Sequence, residues 1–359
     1  MIPLTLEVRV DGHRTGRFAV KVPFPDEVQG NGRWLDGGDE DRFVSGDVSV
    51  KVPSGTRSSL YGDVLMIDPA KGMAVRLIRN SSEHNFFLVT EQCDQLCVMC
   101  SQPPKKAHTD NFEVFGDATR LARPGARITI TGGEPTLHIG PLFELLERAD
   151  RERPDIRFQV LTNAQHFTER HSTFLASSAG RRVLWCVPIY SHRPEVHDKI
   201  VGKQGAFGQL EFGLSQLGQA GVPIEIRTVV VRSNVSDLVG LASFLSSNVS
   251  FLNHWAIMQL ENAGFARTRW SELFVDTSTE FDSVAQAADR ATLAGLQVRL
   301  FNFPLCTVPA PYRDLALGTI SDWKRKYLSA CEECSLRDRC GGFFEWYSPE
   351  RGFKRIGLQ

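Results

Sequence analysis

Cys93, Cys97 and Cys100 stand as Cys-x3-Cys-x2-Cys in one short stretch. Closely spaced thiolates hold iron–sulfur clusters, and a [4Fe–4S] cluster takes four ligands. Three in one loop leave the fourth iron without a protein ligand. An open position on a metal is where a substrate or cofactor binds. The spacing therefore points to a reactive cluster. Structural zinc is the competing chemistry, but it usually takes two pairs, most often Cys-x2-Cys. The x3 gap ahead of Cys97 is unusual for such a pair. One apolar run later, Thr129-Ile130-Thr131 leads into Gly132-Gly133-Glu134-Pro135. Alone this is a turn after a strand; beside the three cysteines it becomes a specific pattern. Glycine lets backbone approach a ligand closely, and a carboxylate accepts from an ammonium.

A second set, Cys331-x2-Cys334-x5-Cys340, has Cys306 upstream of it. These four can complete a closed site, which suits zinc as well as iron–sulfur. Cys186 stands alone in an apolar run, where free cysteine is commonly a core residue. The start of the chain has neither a basic n-region nor an apolar h-region. Disulfides are then disfavoured against metal or redox use, and a cytoplasmic location is expected by default.

The elements that position these residues are of two kinds. Residues 1–85 read as β-rich: Leu6 to Val10 and Val48 to Val52 alternate. Asp11-Gly12, Ser54-Gly55 and Tyr61-Gly62-Asp63 read as turns, and Asp26 to Asp41, polar and glycine-rich, as a loop. From residue 86, apolar runs at 86–89, 127–131, 157–163, 182–190, 224–231 and 254–259 alternate with helical patterns such as 210–220. Alternation of this kind predicts an α/β fold with a parallel sheet. The chain of 359 residues is then divided as 1–85, 86–300 and a cysteine-rich extension at 301–359. Its net charge of -1 gives no electrostatic case for nucleic acid. No apolar run approaches a membrane span of ~18 residues.

Cys-x3-Cys-x2-Cys followed by Gly-Gly-Glu-Pro resembles the radical S-adenosylmethionine (SAM) superfamily. The resemblance implies a partial (β/α)6 barrel of TIM type, with the motifs just past the carboxyl ends of strands, where barrel enzymes place their sites. It implies that Cys93, Cys97 and Cys100 hold a [4Fe–4S] cluster whose open iron is chelated by SAM. An electron from that cluster cleaves SAM to methionine and a 5′-deoxyadenosyl radical. Gly132, Gly133 and Glu134 would hold the SAM amine. Thr162 and Asn163, and Tyr190 and Ser191, end the third and fourth strands. They are polar SAM contacts by resemblance, or ordinary turn formers. Arg227, inside the fifth strand, needs a partner, either a nearby acid or the SAM carboxylate. Met99 would lie near the adenine, or simply pack. His197-Asp198-x3-Gly202 is similar to runs in peptide-modifying members, or is loop structure.

The Cys-x2-Cys-x5-Cys run resembles the extension called SPASM or, when shortened, twitch. That implies one auxiliary [4Fe–4S] cluster on Cys306, Cys331, Cys334 and Cys340, because Phe344 stands where the longer pattern has a further cysteine. Cys97-Val98-Met99-Cys100-Ser101-Gln102-Pro103-Pro104 and Cys340-Gly341-Gly342-Phe343-Phe344 are similar to the His-Xaa-Ser system radical SAM maturase of the C type. This narrower resemblance implies a precursor peptide substrate, a sister radical SAM maturase, and an electron donor such as flavodoxin or ferredoxin. It implies neither a nucleic acid nor a membrane partner. Two other readings stand beside it: a radical SAM enzyme acting on a small molecule in cofactor biosynthesis, and a zinc-stabilised binding module.

Overall fold

The computed structural model describes residues 5–10, 15–24, 32–35 and 40–357. The turn expected at Asp11-Gly12 and the residues opening the chain lie outside the described residues. By contacts the chain forms two compact units. The first comprises residues 1–89, 109–131 and 138–159, and the second 90–108, 132–137 and 160–359. The division at 85/86 and 300/301 remains our proposal, drawn from the change of pattern along the sequence.

In the first unit, β1 (Thr5–Val10), β2 (Phe18–Lys21), β3 (Gly32–Leu35), β4 (Glu40–Ser45), β5 (Val48–Pro53), β6 (Val64–Asp68) and β7 (Met73–Ile78) form one sheet. Its order is β2-β6-β7-β1-β5-β4-β3. Every described pair is antiparallel. The alternation read in the sequence sends Leu6, Val8, Val48, Val50 and Val52 into one apolar core with Phe43 and Leu65. The loop expected over Asp26 to Asp41 is wrong at 32–35 and 40–41, which are β3 and the start of β4. Trp34 packs its ring 5.7 Å from that of Phe43 and edge-on to Tyr61. One aromatic anchors a four-residue strand that is too short to show a period.

The six strands expected of the α/β part are present: β8 (Asn85–Thr90), β9 (Arg127–Gly132), β10 (Arg157–Leu161), β11 (Val183–Pro188), β12 (Ile224–Val229) and β13 (His254–Met258). Two more follow, β14 (Val298–Phe301) and β15 (Ala316–Leu317). Most of β8, β9 and β10 lies in the first unit, but their carboxyl ends, Thr90, Gly132 and Val160 onward, belong to the second. In the second unit Thr162 N–H donates to Cys186 O at 3.1 Å, and β11 to β15 follow as parallel neighbours. Helices Pro194–Val201, Ala206–Ala220, Leu238–Asn248 and Asp282–Leu293 alternate with these strands. After β15 the chain turns in short 3-10 segments around a two-stranded ribbon, β16 (Arg325–Lys326) with β17 (Phe343–Phe344). Among the described residues no helix is long and apolar enough to cross a membrane.

Candidate active site

The cysteine loop leaves the end of β8 and lies wholly in the second unit. Two of its N–H groups find the end of the helix Pro194–Val201. Leu96 donates to Val201 O at 2.9 Å and Val98 to Ile200 O at 2.8 Å. A helix leaves its last carbonyls without internal donors, and the cysteine loop supplies them. Gly202 stops that helix at φ +67°, and a Cβ there would stand 2.7 Å from Leu96 O. Asp198 accepts the N–H groups of Gly205 at 2.6 Å and Phe207 at 2.8 Å, starting the next helix. His197 is buried, and its Nδ1 accepts from Tyr190 N–H at 3.3 Å. The His-Asp-x3-Gly run is thus the clamp on the cysteine loop. On the far side, Phe265 N–H donates to Cys100 O at 2.8 Å and Arg269 Nη1 to Val98 O at 3.3 Å.

Cys93, Cys97 and Cys100 are free and half-buried. Burial pushes Cys93 up to about 11, and the nearby charges of Glu134, Asp94 and Cys100 add to it. Burial pushes Cys97 up to about 12, with Cys100 and Cys93 next. Cys100 is raised by burial as well. Three partly buried thiols, with Cys93 and Cys97 also held protonated by a neighbouring sulfur, are a donor set that a polynuclear cation neutralises. A cubane offers a separate iron to each thiolate, so its ligands do not converge on one point. Among the described residues no group of three or more His, Cys, Asp or Glu is arranged around a single metal ion.

The Gly-Gly-Glu turn runs against this loop. Gly133 N–H donates to Thr90 O at 2.9 Å and Glu134 N–H to Gln92 O at 2.7 Å. A Cβ on Gly133 would meet Gln92 O at 2.1 Å and Cys93 Cβ at 3.0 Å, so only glycine fits. The Glu134 side chain is held by neighbouring strand ends. It is 1% exposed. Its Oε1 accepts from Thr136 N–H at 2.9 Å, Thr136 Oγ1 at 2.5 Å and Thr162 Oγ1 at 2.7 Å, and its Oε2 from Asn163 N–H at 2.6 Å. Burial raises its pKa and these hydrogen bonds oppose the rise. Three donors crowd Oε1 and one reaches Oε2, which leaves Oε2 able to accept a further donor. In this geometry Glu134 ties the ends of β9 and β10 together.

The other residues named for SAM divide into three groups. Thr162 and Asn163 belong to the Glu134 network. Asn163 Nδ2 also donates to Asp94 Oδ1 at 2.9 Å, inside the cysteine loop. Met99 and Tyr190 sit in one apolar cluster with Cys97. Ser191 and Arg227 each have a partner within the protein. Ser191 Oγ donates to Asp237 Oδ2 at 2.7 Å. Arg227 Nε pairs with Glu225, whose other oxygen is 2.5 Å from His254 Nε2. An acid two residues away on the same strand face is the nearest charge, and it takes the guanidinium.

Sequence reasoning missed Asp94 and Lys203. Lys203 Nζ is 2.5 Å from Asp94 Oδ2 and 2.7 Å from Gln165 Oε1. His166 Nε2 lies 3.4 Å from the same carboxylate. Burial alone would raise Asp94, but His166 and Lys203 hold it well below the usual carboxylate range. The available signal was an acid standing between two cysteines.

Cys306, Cys331, Cys334 and Cys340 line one small cavity, with Tyr327 and Phe343. Burial pushes Cys306 up to about 11, and the charges of Cys340 and Cys331 add to it. Cys340 Sγ accepts from the N–H groups of Leu305 and Gly342, both at 3.4 Å. The set fits a four-thiolate group. Cys186 is in neither set: it is buried in β11 and pushed up to about 12 by burial.

Residues 87–245 match the radical SAM superfamily. The chain carries a radical SAM domain. That family implies a [4Fe–4S] cluster and SAM. An AdoMet-dependent heme synthase of Oleidesulfovibrio alaskensis is 26% identical over 212 residues, 55% of this chain and 50% of that protein. One of Nitratidesulfovibrio vulgaris is 27% identical over 160 residues, 41% of this chain and 40% of that protein. The chain thus spans about half the length of the curated relatives it matches, or less. Streptococcus suis SuiB bound to S-adenosylmethionine shares the radical SAM fold. Its TM-score is 0.51 at 14% identity, over 62% of this chain and 51% of SuiB.

Proposed function

We propose that this protein is a radical SAM enzyme that modifies a ribosomally made peptide of the His-Xaa-Ser type by hydrogen abstraction. The observation that carries the radical SAM part is the apposition of Gly133 to Cys93. It brings a strand-end turn against three free thiols in one clamped loop. Cys93, Cys97 and Cys100 would hold the SAM-binding cluster, and Cys306, Cys331, Cys334 and Cys340 an auxiliary one. When bound, the first cluster and SAM supply the 5′-deoxyadenosyl radical.

The chain's own residues do the positioning. Gly132 and Gly133 let the turn close against Thr90, Gln92 and Cys93, where a Cβ would collide, and their backbone would hold the SAM amine. Glu134, Thr162 and Asn163 fix that turn to the next strand end. Asp94 and Lys203 tie the cysteine loop to the same strand end. Met99 and Tyr190 present an apolar wall to the adenine side. Arg227 would offer a SAM carboxylate the guanidinium N–H groups that Glu225 does not take.

The peptide reading is supported by the residues after Cys100 and by the second cysteine set on one cavity. We place a sister maturase and a flavodoxin or ferredoxin as its partners. A small-molecule substrate is the second reading, favoured by the heme synthases among the relatives. Anaerobic reconstitution followed by assay of iron, sulfide and zinc tests the first step. Two cubane clusters give about eight irons per chain. A colourless protein with two zincs would point instead to a zinc-stabilised module. A short His-Xaa-Ser-rich reading frame beside the gene supports the peptide; a cofactor pathway there supports the small molecule.

A further inference from the structure

A cavity of about 510 Å³ opens in the second unit, and none of the groups discussed so far uses it. This lies within the ~300–1,000 Å³ of ligand sites. Leu260 and Asn262 reach it from the end of β13, and Asn302 and Pro304 from the end of β14. Rings of Trp270, Phe274, Phe343, Phe344, Trp346 and Tyr347 line it further, and Arg267, Glu350 and Arg351 add charged groups to its wall.

These walls are continuous with both cysteine sets. The segment carrying Trp270 also holds the first cysteine loop, through Phe265 N–H on Cys100 O and Arg269 on Val98 O. Phe343 borders the cavity of the second set as well as this one. Trp270, Phe274 and Phe343 share a single apolar cluster with Cys97, Cys306 and Cys331.

The lining has two characters. Trp270 stacks on Phe274 at 4.5 Å, Phe344 on Trp346 at 5.4 Å, and Tyr347 on Phe353 at 5.8 Å. Among these rings stand polar groups left unpaired. Trp346 Nε1 is buried with no hydrogen-bond partner among the described residues. Asn302 Oδ1 accepts from Thr319 at 3.2 Å, but its amide nitrogen has no partner among them. The Asn262 side chain, also lining the cavity, has none among them either. A buried donor without a partner, as Trp346 Nε1 is, costs about 1–3 kcal/mol; the Asn262 and Asn302 side chains are half-buried. Rings alone would suit a hydrocarbon tail. Unpaired amides, which offer donor and acceptor together, complement a peptide group.

We propose that this cavity binds a peptide segment by a planar ring side chain, with Asn262, Asn302 and Trp346 reading the flanking peptide groups. This deepens the peptide reading above and rests on it. It places the ring against an apolar cluster that takes in Cys97, Cys306 and Cys331.

The test uses the full chain and three probes: Ac-Ala-Ala-Phe-Ala-Ala-amide, its Leu counterpart, and deuteroporphyrin IX as a free carboxylated ring. Binding is measured by calorimetry. Ring stacking beyond area burial predicts that the Phe peptide binds about three- to tenfold tighter than the Leu peptide. Trp270→Leu should erase that preference, and Trp346→Leu or Asn262→Ala should weaken both peptides by about the same factor. The unfolding midpoint checks that each variant folds, and the wild-type comparison decides even without them. Equal affinities, or no peptide binding at millimolar concentration, overturn the proposal. So does porphyrin binding tighter than either peptide, which also moves the substrate to the small-molecule reading. Iron content and SAM cleavage are read separately, so loss of ring preference with both intact refutes this site and not the radical SAM reading.

Discussion

Gly202 stands where a single added carbon would lie 2.7 Å from the carbonyl oxygen of Leu96. Its φ of +67° is also one that alanine adopts at a cost of about 1–2 kcal/mol. Gly202→Ala should therefore both lower stability and push the cysteine loop off the helix end. The expected outcome is a thermal midpoint several degrees lower and iron loading on the first site cut by half or more. Wild-type loading in a folded Gly202→Ala protein would show that the clamp does not matter.

Glu134 makes a separable prediction. Glu134→Gln places an NH2 group against donors that now face a carboxylate. A buried donor left unsatisfied costs about 1–3 kcal/mol. Chemical denaturation of the metal-free protein should show a loss of that size. If Glu134 only contacted SAM, the metal-free variant would be as stable as the wild type.

His197 sets a pH dependence. Burial lowers its pKa from 6.5 to about 4. The unfolded chain binds this proton at higher pH than the folded one, so the neutral ring favours folding above pH 6.5. That contribution is lost as the pH falls through the window from 6.5 towards 4. A shift of this size corresponds to up to about 3 kcal/mol. His197→Gln keeps an acceptor for Tyr190 N–H and should flatten the slope of stability against pH between 6.5 and 4. Parallel slopes for the two proteins would contradict the assignment.

The second cysteine set is tested by replacing Cys331, Cys334 and Cys340 together with Ala. The expected protein keeps SAM cleavage, now uncoupled, and loses peptide product. Normal product from this triple variant would reduce the second site to a structural role.

What the sequence made legible was the chemistry that short spacing encodes. Cys93, Cys97, Cys100 and the Gly132–Glu134 turn could be read because their partners lie within a strand's length. The six strand runs were legible because each is dense in apolar and β-branched residues and is set off from helical patterns. β3 was missed because Trp34 alone anchors it, and β14 and β15 because four and two residues carry too little pattern. The pairs Asp94–Lys203 and Glu134–Asn163 bridge long separations, and no local period announces them. The residue type of Glu134 suits an amine, but its hydrogen bonds to Thr136, Thr162 and Asn163 come only from the fold. The ring-lined cavity draws on residues from Gln259 to Phe353, and only the fold assembles it.

The central claim is that Cys93, Cys97 and Cys100 hold a SAM-cleaving cluster apart from the second cysteine set. Replacing all three by Ala and reconstituting without oxygen tests it most directly, with iron and 5′-deoxyadenosine measured on one sample. The account predicts loss of about half the iron, on the basis of two four-iron clusters, and of all 5′-deoxyadenosine formation. Persistent SAM cleavage in that variant, or iron equal to wild type, would contradict it.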